Sequence, residues 1–315
     1  MKIAIIGPGA IGLLLAGYLH KGGADILLVD NRPERAKRLN DEGFVWSVPE
    51  EEVMIKEPAV VEIQPSHGID LAVICVKAYD TEEAARRLAA SGYRGAVLTL
   101  QNGAGNAETI AKFLPHAPLL AGVTSEGALL LNERHVRRAG KGITSFGPIE
   151  LGRPDDECID RIASVMRNGG MSVEISSDPR SLVWGKVIIN AAINPLTALL
   201  DVPNGSLLEI PPARELMAQI VDEAWRVVRA MRCNPPFADP IARVEEVCRL
   251  TAENVSSMRA DIIKRRRTEI DHINGAIVRE GRARGIPCPV NEAMTQLVRA
   301  LELLRRRDIE RAEVG

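Results

Sequence analysis

Apolar and polar positions alternate in blocks along the first half of the chain. KIAIIG (residues 2–7) is a short β-branched run that stops at glycine. AIGLLLAGYLHKGG (10–23) has helical length and ends on a glycine pair suited to a C-cap. DILLVD (25–30) predicts a second strand, RPERAKRLNDEG (32–43) a helix with a charged outer face, IDLAVICVK (69–77) a third strand, and TEEAARRLAASG (81–92) its crossover helix. GAVLTLQNG (95–103) predicts another strand running into a Gly/Asn turn. NAETIAKFL (106–114) follows, and PLLAGVTSEGALL (118–130) holds a further strand. Strand–helix alternation of this kind predicts an α/β domain with a parallel, doubly wound sheet covered by helices on both faces. The rhythm then changes. HVRRAGKGITSFGPIELG (135–152) predicts antiparallel β structure around a glycine turn, and MSVEISSDP (171–179) a last strand. From Ser181 the period is helical, over 182–199, 212–231, 239–250, 257–285 and 291–312, which predicts an all-α C-terminal domain. The Ser/Ser/Asp/Pro cluster at 176–179 marks a turn, and the predicted boundary divides the chain into 1–177 and 178–315.

Length and composition agree with this division. A chain of 315 residues suits two cores better than one, and 46% apolar with 26% charged residues is the balance of a soluble globular protein. The net charge of −2 gives no reason to expect nucleic acid or an anionic membrane as a partner. The basic runs IKRRRTE (263–269) and LLRRRDIERAE (303–313) are interleaved with acids and read as solvated helix faces. The 5 cysteines are scattered without CxxC spacing, and the 5 histidines show no HxxxH pairing. A reducing cytoplasm without disulfides or a metal cluster is the expectation. MKIAIIGPGAIGLLLAGYL is apolar, but Gly7, Pro8 and Gly9 break it. It predicts neither an export signal nor a membrane span, and no other apolar run of about 18 residues stands out.

Two patterns carry chemistry. GPGAIG is Gly7-x-Gly9-x-x-Gly12, set between a strand and an apolar helix. In that setting Gly7 permits a tight turn, Gly9 lets a diphosphate approach the backbone and Gly12 lets helix and strand pack closely. Gly7, Gly9, Ala10, Ile11 and Gly12 are therefore candidate cofactor residues, with the helix N-terminus supplying N–H groups. Asp30 ends the second strand about 20 residues further on, where an acid can bond a ribose diol and disfavour a 2′-phosphate. Arg32 could instead bind that phosphate, and Lys77 ends the third strand at the same edge of the sheet. The second pattern lies in WGKVIINAAINPLTALL (184–200), where Lys186, Asn190 and Asn194 recur in steps of four within an apolar helix. Such steps place all three within about 80° of arc. Polar groups in a buried stripe must be paired internally or line a cleft for a polar ligand. Glu269, in RRRTEIDHINGAI, is a further polar position in a mixed apolar segment of helical period.

The strings KIAIIGPGAIG, VKAYD, QNGAGN, WGKVIINAAINPLTALLDVPNG, TAENVSSMRADI and TEIDHINGAIVREGRARGIPCPVNE together resemble the ketopantoate reductase (2-dehydropantoate 2-reductase) family from end to end. The resemblance implies a Rossmann domain followed by an all-helical domain like that of 6-phosphogluconate dehydrogenase. It also implies reduction of 2-dehydropantoate to (R)-pantoate on the route to pantothenate and coenzyme A, normally with NADPH. By position, Lys186 matches the family's acid/base lysine and Glu269 its essential glutamate. Asn190, Asn194, Asn254 and Ser257 match substrate-binding positions, Asn102 the asparagine between nicotinamide and substrate, and Lys77 a cofactor-contacting lysine. One departure is Asp30 with the arginine shifted to Arg32, where many members place arginine at the strand end. NADP(H) is thus expected from the family, and NAD(H) is kept open by Asp30. Alternatives are a reductase of another small 2-oxo acid on the same fold and a non-catalytic nicotinamide sensor. A cytoplasmic monomer or homodimer acting on a small 2-oxo acid, with no metal, completes the expectation.

Overall fold

The computed structural model describes residues 1–149 and 155–314, with side chains described through residue 305. It divides into two compact units, Met1–Gln101 with Asn106–Arg180, and Asn102–Gly105 with Ser181–Gly315.

In the first unit the strands are β1 Lys2–Ile6, β2 Asp25–Val29, β3 Phe44–Val48, β4 Glu51–Ile55, β5 Ala59–Val60, β6 Leu71–Ile74, β7 Ala96–Thr99, β8 Leu119–Thr124, β9 Gly127–Asn132, β10 His135–Gly140, β11 Ile143–Pro148 and β12 Ser172–Ile175. The helices are α1 Ala10–Lys21, α2 Pro33–Glu42, α3 Thr81–Ala90, α4 Asn106–Phe113 and α5 Asp156–Asn168. The main sheet runs β12-β11-β8-β7-β6-β1-β2-β5; its β11–β8 pairing is antiparallel and β12 is parallel to β11, so these two strands at one edge run against the others. Consecutive residues of β1 feed opposite faces. Ile3 and Ile5 join Leu13, Leu14, Val73 and Leu98 in one core, whereas Ala4 and Ile6 join Leu27, Ile74, Leu88 and Ile110 in the other. Burial on both faces is why these strands read as continuous apolar runs rather than alternating ones.

The segment from 43 to 68 carries strands that the hydrophobic pattern does not announce. A second sheet, β4-β3-β10-β9, lies over α1. Trp46 of β3 donates its indole N–H to the Leu14 carbonyl at 3.1 Å and meets Tyr18 edge-on at 5.1 Å. A Cβ at Gly17 would fall 2.1 Å from that indole, so the helix is small there to let the ring in. The expected antiparallel pair around the glycines at 140–142 is not formed. β10 pairs with β9 in the second sheet and β11 with β8 in the main one, so the chain changes sheets at that glycine pair. The hairpin turn sits earlier, at Asn132–His135, where the Asn132 side chain accepts the Arg134 N–H at 2.9 Å. A side chain that closes its own turn outweighs a flexible glycine pair. The end of that predicted segment, 150–152, lies outside the described residues.

The second unit is helical: α6 Pro179–Leu200, α7 Ser206–Glu209, α8 Pro211–Ala230, α9 Pro240–Leu250, α10 Ser257–Ile263, α11 Asn274–Ala283 and α12 Pro289–Val314. Its core gathers Val187, Ile188, Ala191, Leu196, Ile220, Val227, Ile270, Ile277 and Val298, and Ala104 enters it from the short 102–105 segment. By length and composition α6 could cross a membrane, which the expectation of no further apolar run did not foresee, but most of that stretch is buried inside the protein. The predicted helix over 257–285 is interrupted. Arg265 adopts φ 53°, which ends α10, and a 3-10 turn at Ile270–His272 precedes α11. Glu302 accepts the Thr268 N–H at 2.7 Å and so fixes the non-helical piece. Glu269 therefore sits on a turn, not on the helix its sequence suggested.

Candidate active site

The glycine turn of the first unit has the geometry its spacing implies. Gly7 holds φ +84° and donates to the Val29 carbonyl at 3.0 Å. A side chain there would strike Val76. A Cβ at Gly12 would lie 2.5 Å from the Gly7 carbonyl, whereas one at Gly9 would meet nothing within 4 Å. The open space above Gly9, at the start of α1, leaves room for a diphosphate against the helix N–H groups. Ala10 and Ile11 form the first turn of that helix. Lys77 follows β6 and caps the 3-10 turn at Ala78–Asp80.

Asp30, at the end of β2, is 3% exposed and its carboxylate is occupied. Oδ1 accepts the Arg32 backbone N–H at 3.0 Å and Arg32 Nε at 3.2 Å. Oδ2 accepts Arg32 Nη2 at 3.3 Å and Arg35 Nη1. Burial pushes this carboxyl up, but the bonds from Arg32 and Arg35 outweigh it and hold the group below its ordinary value. Arg35 is 2% exposed and uses every guanidinium nitrogen. Nη2 donates to the Pro8 carbonyl at 2.5 Å and the Glu133 carbonyl at 2.7 Å, and Nε donates to Glu133 at 3.0 Å. The glycine turn, the end of β2 and the β9–β10 turn are thus tied through one side chain. On their exposed sides Arg32 and Arg38 pair with the Glu133 carboxylate.

In the second unit Lys186, Asn190 and Asn194 follow one another along α6; Asn194 is buried and the other two are partly so. Burial pulls the Lys186 amine down to about 8, and Glu269 opposes that shift. Glu269 is 5% exposed and accepts a hydrogen bond from Asn102 Nδ2 at 3.5 Å. The 102–105 segment is fixed to the same turn, because Ala104 donates to the His272 carbonyl at 2.8 Å and a Cβ at Gly103 would lie 2.6 Å from that oxygen. Lys186, Glu269 and Asn102, far apart in sequence, are therefore brought together. Asn254 and Ser257 are exposed and stand at the start of α10. Ser256 between them bonds the Thr197 hydroxyl at 2.7 Å, which attaches this segment to the far end of α6 from Lys186. The Asn254 carbonyl accepts the Asn204 N–H at 3.1 Å.

Chemically, the arrangement offers an amine whose proton is exchangeable near neutrality, a carboxylate beside it and amides on the same helix face. An amine of this kind can hydrogen-bond an oxygen that is gaining negative charge and then protonate it.

Family models described as ketopantoate reductase PanE/ApbA match residues 3–150, and their C-terminal counterpart matches 178–302. The chain belongs to the ketopantoate reductase family. It is 36% identical over 301 residues to a 2-dehydropantoate 2-reductase of Halobacterium salinarum, covering 95% of this chain and 98% of that one. A 2-dehydropantoate 2-reductase of Archaeoglobus fulgidus is equally similar, at 36% over 96% of this chain and 98% of its own. Among solved structures, a PanE/ApbA family ketopantoate reductase from Ralstonia eutropha superposes with TM-score 0.88 at 31% identity, over 97% of this chain and 100% of that one. D-mandelate dehydrogenase with NADH and anilino(oxo)acetate superposes with TM-score 0.90 at 29% identity, over 97% and 99%. The α/β sheet domain followed by a helical domain is the family's fold.

Arg35 is not visible as a site residue in the sequence, because RPERAKR looks like a solvated charged face. Its contacts with the Pro8 carbonyl and with Glu133, 98 residues away, show that it is buried. Pro195 and Asn274 also stand outside the sequence-predicted set, although a proline inside a long apolar helix is a visible signal.

Proposed function

We propose that this chain reduces 2-dehydropantoate to (R)-pantoate with a nicotinamide dinucleotide, in the cytoplasm, on the route to pantothenate and coenzyme A. Residues 1–177 serve the dinucleotide and 178–315 the substrate. The convergence of the Lys186 amine with the Glu269 carboxylate carries the reading. The dinucleotide, when bound, supplies hydride to the C2 ketone. Lys186 donates a hydrogen bond to the ketone oxygen and gives it a proton as charge develops. Glu269 accepts a hydrogen bond from the substrate hydroxyl and keeps the amine from losing its proton too readily. Asn190 and Asn194 orient substrate oxygens, Ser257 and Asn254 hold the carboxylate, and Asn102 positions Glu269 from its other side. Gly7, Gly9, Ala10, Ile11 and Gly12 receive the diphosphate, and Lys77 contributes a cationic contact.

NADPH is the favoured cofactor. Asp30 is neutralised by Arg32 and Arg35, so its power to repel a 2′-phosphate is small, and Arg32, which is more than half exposed, can exchange its contact with Glu133 for one. NADH is the second reading, supported by an acid at the ribose-binding position and by the likeness to D-mandelate dehydrogenase with NADH. That same likeness supports another 2-oxo acid as an alternative substrate. Paired NADPH and NADH assays with 2-dehydropantoate and a panel of 2-oxo acids test both. Turnover of 2-dehydropantoate with NADPH at the highest kcat/KM is the expected result, and turnover of another 2-oxo acid alone overturns the assignment.

A further inference from the structure

Pro195 lies inside α6, between the stripe residue Asn194 and the helix's last turn. Proline has no N–H, so the carbonyl four residues back loses its helical partner. That carbonyl belongs to Ala191, which is 0% exposed and sits between Asn190 and Asn194. Water is not at hand to satisfy it. Asn274 is: its Nδ2 donates to the Ala191 oxygen at 3.0 Å and to Asn291 Oδ1 at 3.1 Å. Asn274 is the first residue of α11, directly after the turn that carries Glu269.

The side chain is itself held. Asn291 donates to the Ile220 carbonyl at 3.2 Å and to Glu223 Oε2 at 2.8 Å. Glu223 also accepts the backbone N–H groups of Val290 and Asn291, both at 2.9 Å, at the start of α12. Asn274 and Asn291 are 0% exposed and Glu223 4%. Both amide N–H donors of Asn274 and of Asn291 are thus committed, while Asn274 Oδ1 is buried and accepts none.

We propose that Asn274 is a positioning residue. Its amide replaces the hydrogen bond that Pro195 cannot make, and so couples the helix bearing Lys186 to the turn bearing Glu269. The gap that Pro195 leaves in the hydrogen-bond ladder of α6 is then filled from outside the helix, and Asn274 with Asn291 and Glu223 is the strut that fills it. The inference rests on the reductase reading for its kinetic consequence, but not for its structural one.

The experiment compares wild type, Asn274→Ala, Pro195→Ala and the double variant in two readouts. One is kcat and KM with 2-dehydropantoate and NADPH. The other is the rate at which Lys186 is acetylated by acetic anhydride, followed by peptide mass spectrometry, which needs no turnover. Asn274→Ala is expected to lower kcat roughly 10- to 100-fold through misplaced groups, with the NADPH KM little changed, and to speed Lys186 labelling several-fold. Pro195→Ala restores an N–H to the Ala191 carbonyl, so the double variant should recover toward Pro195→Ala in both readouts. A loss in Asn274→Ala that Pro195→Ala does not relieve overturns the proposal, as does unchanged labelling. Should Asn274→Ala fail to fold, the double variant is compared with Pro195→Ala alone: equality supports the strut, a deficit overturns it. Wild type without 2-dehydropantoate turnover, but with the predicted labelling pattern, refutes the reductase reading and leaves the strut standing.

Discussion

Two cation–carboxylate pairs, the buried Arg35 and Asp30 in the first unit and the partly buried Lys186 with the buried Glu269 in the second, are made for opposite ends. Arg35 spends its whole guanidinium on fixed acceptors, and the Asp30 oxygens are filled in return. A planar fork that stays charged at any working pH suits a permanent clamp. Lys186 presents a single amine, held near 8 by burial against the pull of Glu269. Burial thus accompanies a rigid joint with arginine and, with lysine, an amine shifted toward neutrality that the proposed mechanism uses as a proton donor. The lesson is that burial and charge alone do not mark a catalytic pair; the capacity to change protonation does.

The sharpest way to break this comparison is to remove each cation. Lys186→Ala should lower kcat by roughly 10²–10⁴, the usual size of a general-acid contribution, while leaving dinucleotide binding intact. Near wild-type turnover would take the lysine out of the mechanism. Arg35→Met should instead act on stability. It removes one of the two arginines that hold Asp30 and leaves the Pro8 and Glu133 carbonyls without their donor, while Arg32 still pairs with the acid, a loss of about 1–3 kcal/mol seen as a lower urea midpoint of the first unit; an unchanged midpoint would make the clamp dispensable. The clamp also has a pH signature. Because Asp30 titrates below its unfolded value, its contribution is present at neutral pH and is lost as pH falls through the folded value, below 3.8. Acid unfolding of Arg35→Met should therefore lack only the share of this acid transition that comes from Arg35, the larger share from Arg32 remaining.

How much of this is legible in the sequence follows the distance over which each feature is assembled. The Gly7–Gly12 turn is contiguous, so spacing alone predicts its strand, turn and helix. The polar stripe of α6 is likewise local and visible as steps of four. The clamp needs Arg35 to meet a carbonyl at Glu133, and the working pair needs 186 to meet 269. Neither follows from periodicity, and the second is reached only through resemblance to a family. Strands β3 to β5 are hidden for another reason. β4 reads EEVMI and is largely exposed, so it lacks the apolar run that marks a buried strand. The break in the helix expected over 257–285 is hidden because RRRTEID has helix-compatible residues throughout, and the break is imposed from outside by Glu302.

A smaller effect probes the other carboxylate. If Asp30 serves the clamp rather than a ribose diol, Asp30→Asn should change NADH and NADPH affinities by similar factors. A selective loss of NADH, measured by titrating dinucleotide fluorescence, would return the acid to the ribose.

The central claim is that the Lys186 proton moves during turnover and that Glu269 holds it in place. The pH dependence of kcat/KM in wild type and Glu269→Gln tests it most directly. Reduction needs the protonated amine, so wild-type kcat/KM should fall as pH rises through about 8. Removing the carboxylate's charge lowers the amine's pKa, and the fall should move to lower pH in the residual activity of Glu269→Gln. A wild-type profile flat well above that pH, or an alkaline limb at the same place in both proteins, would contradict the account.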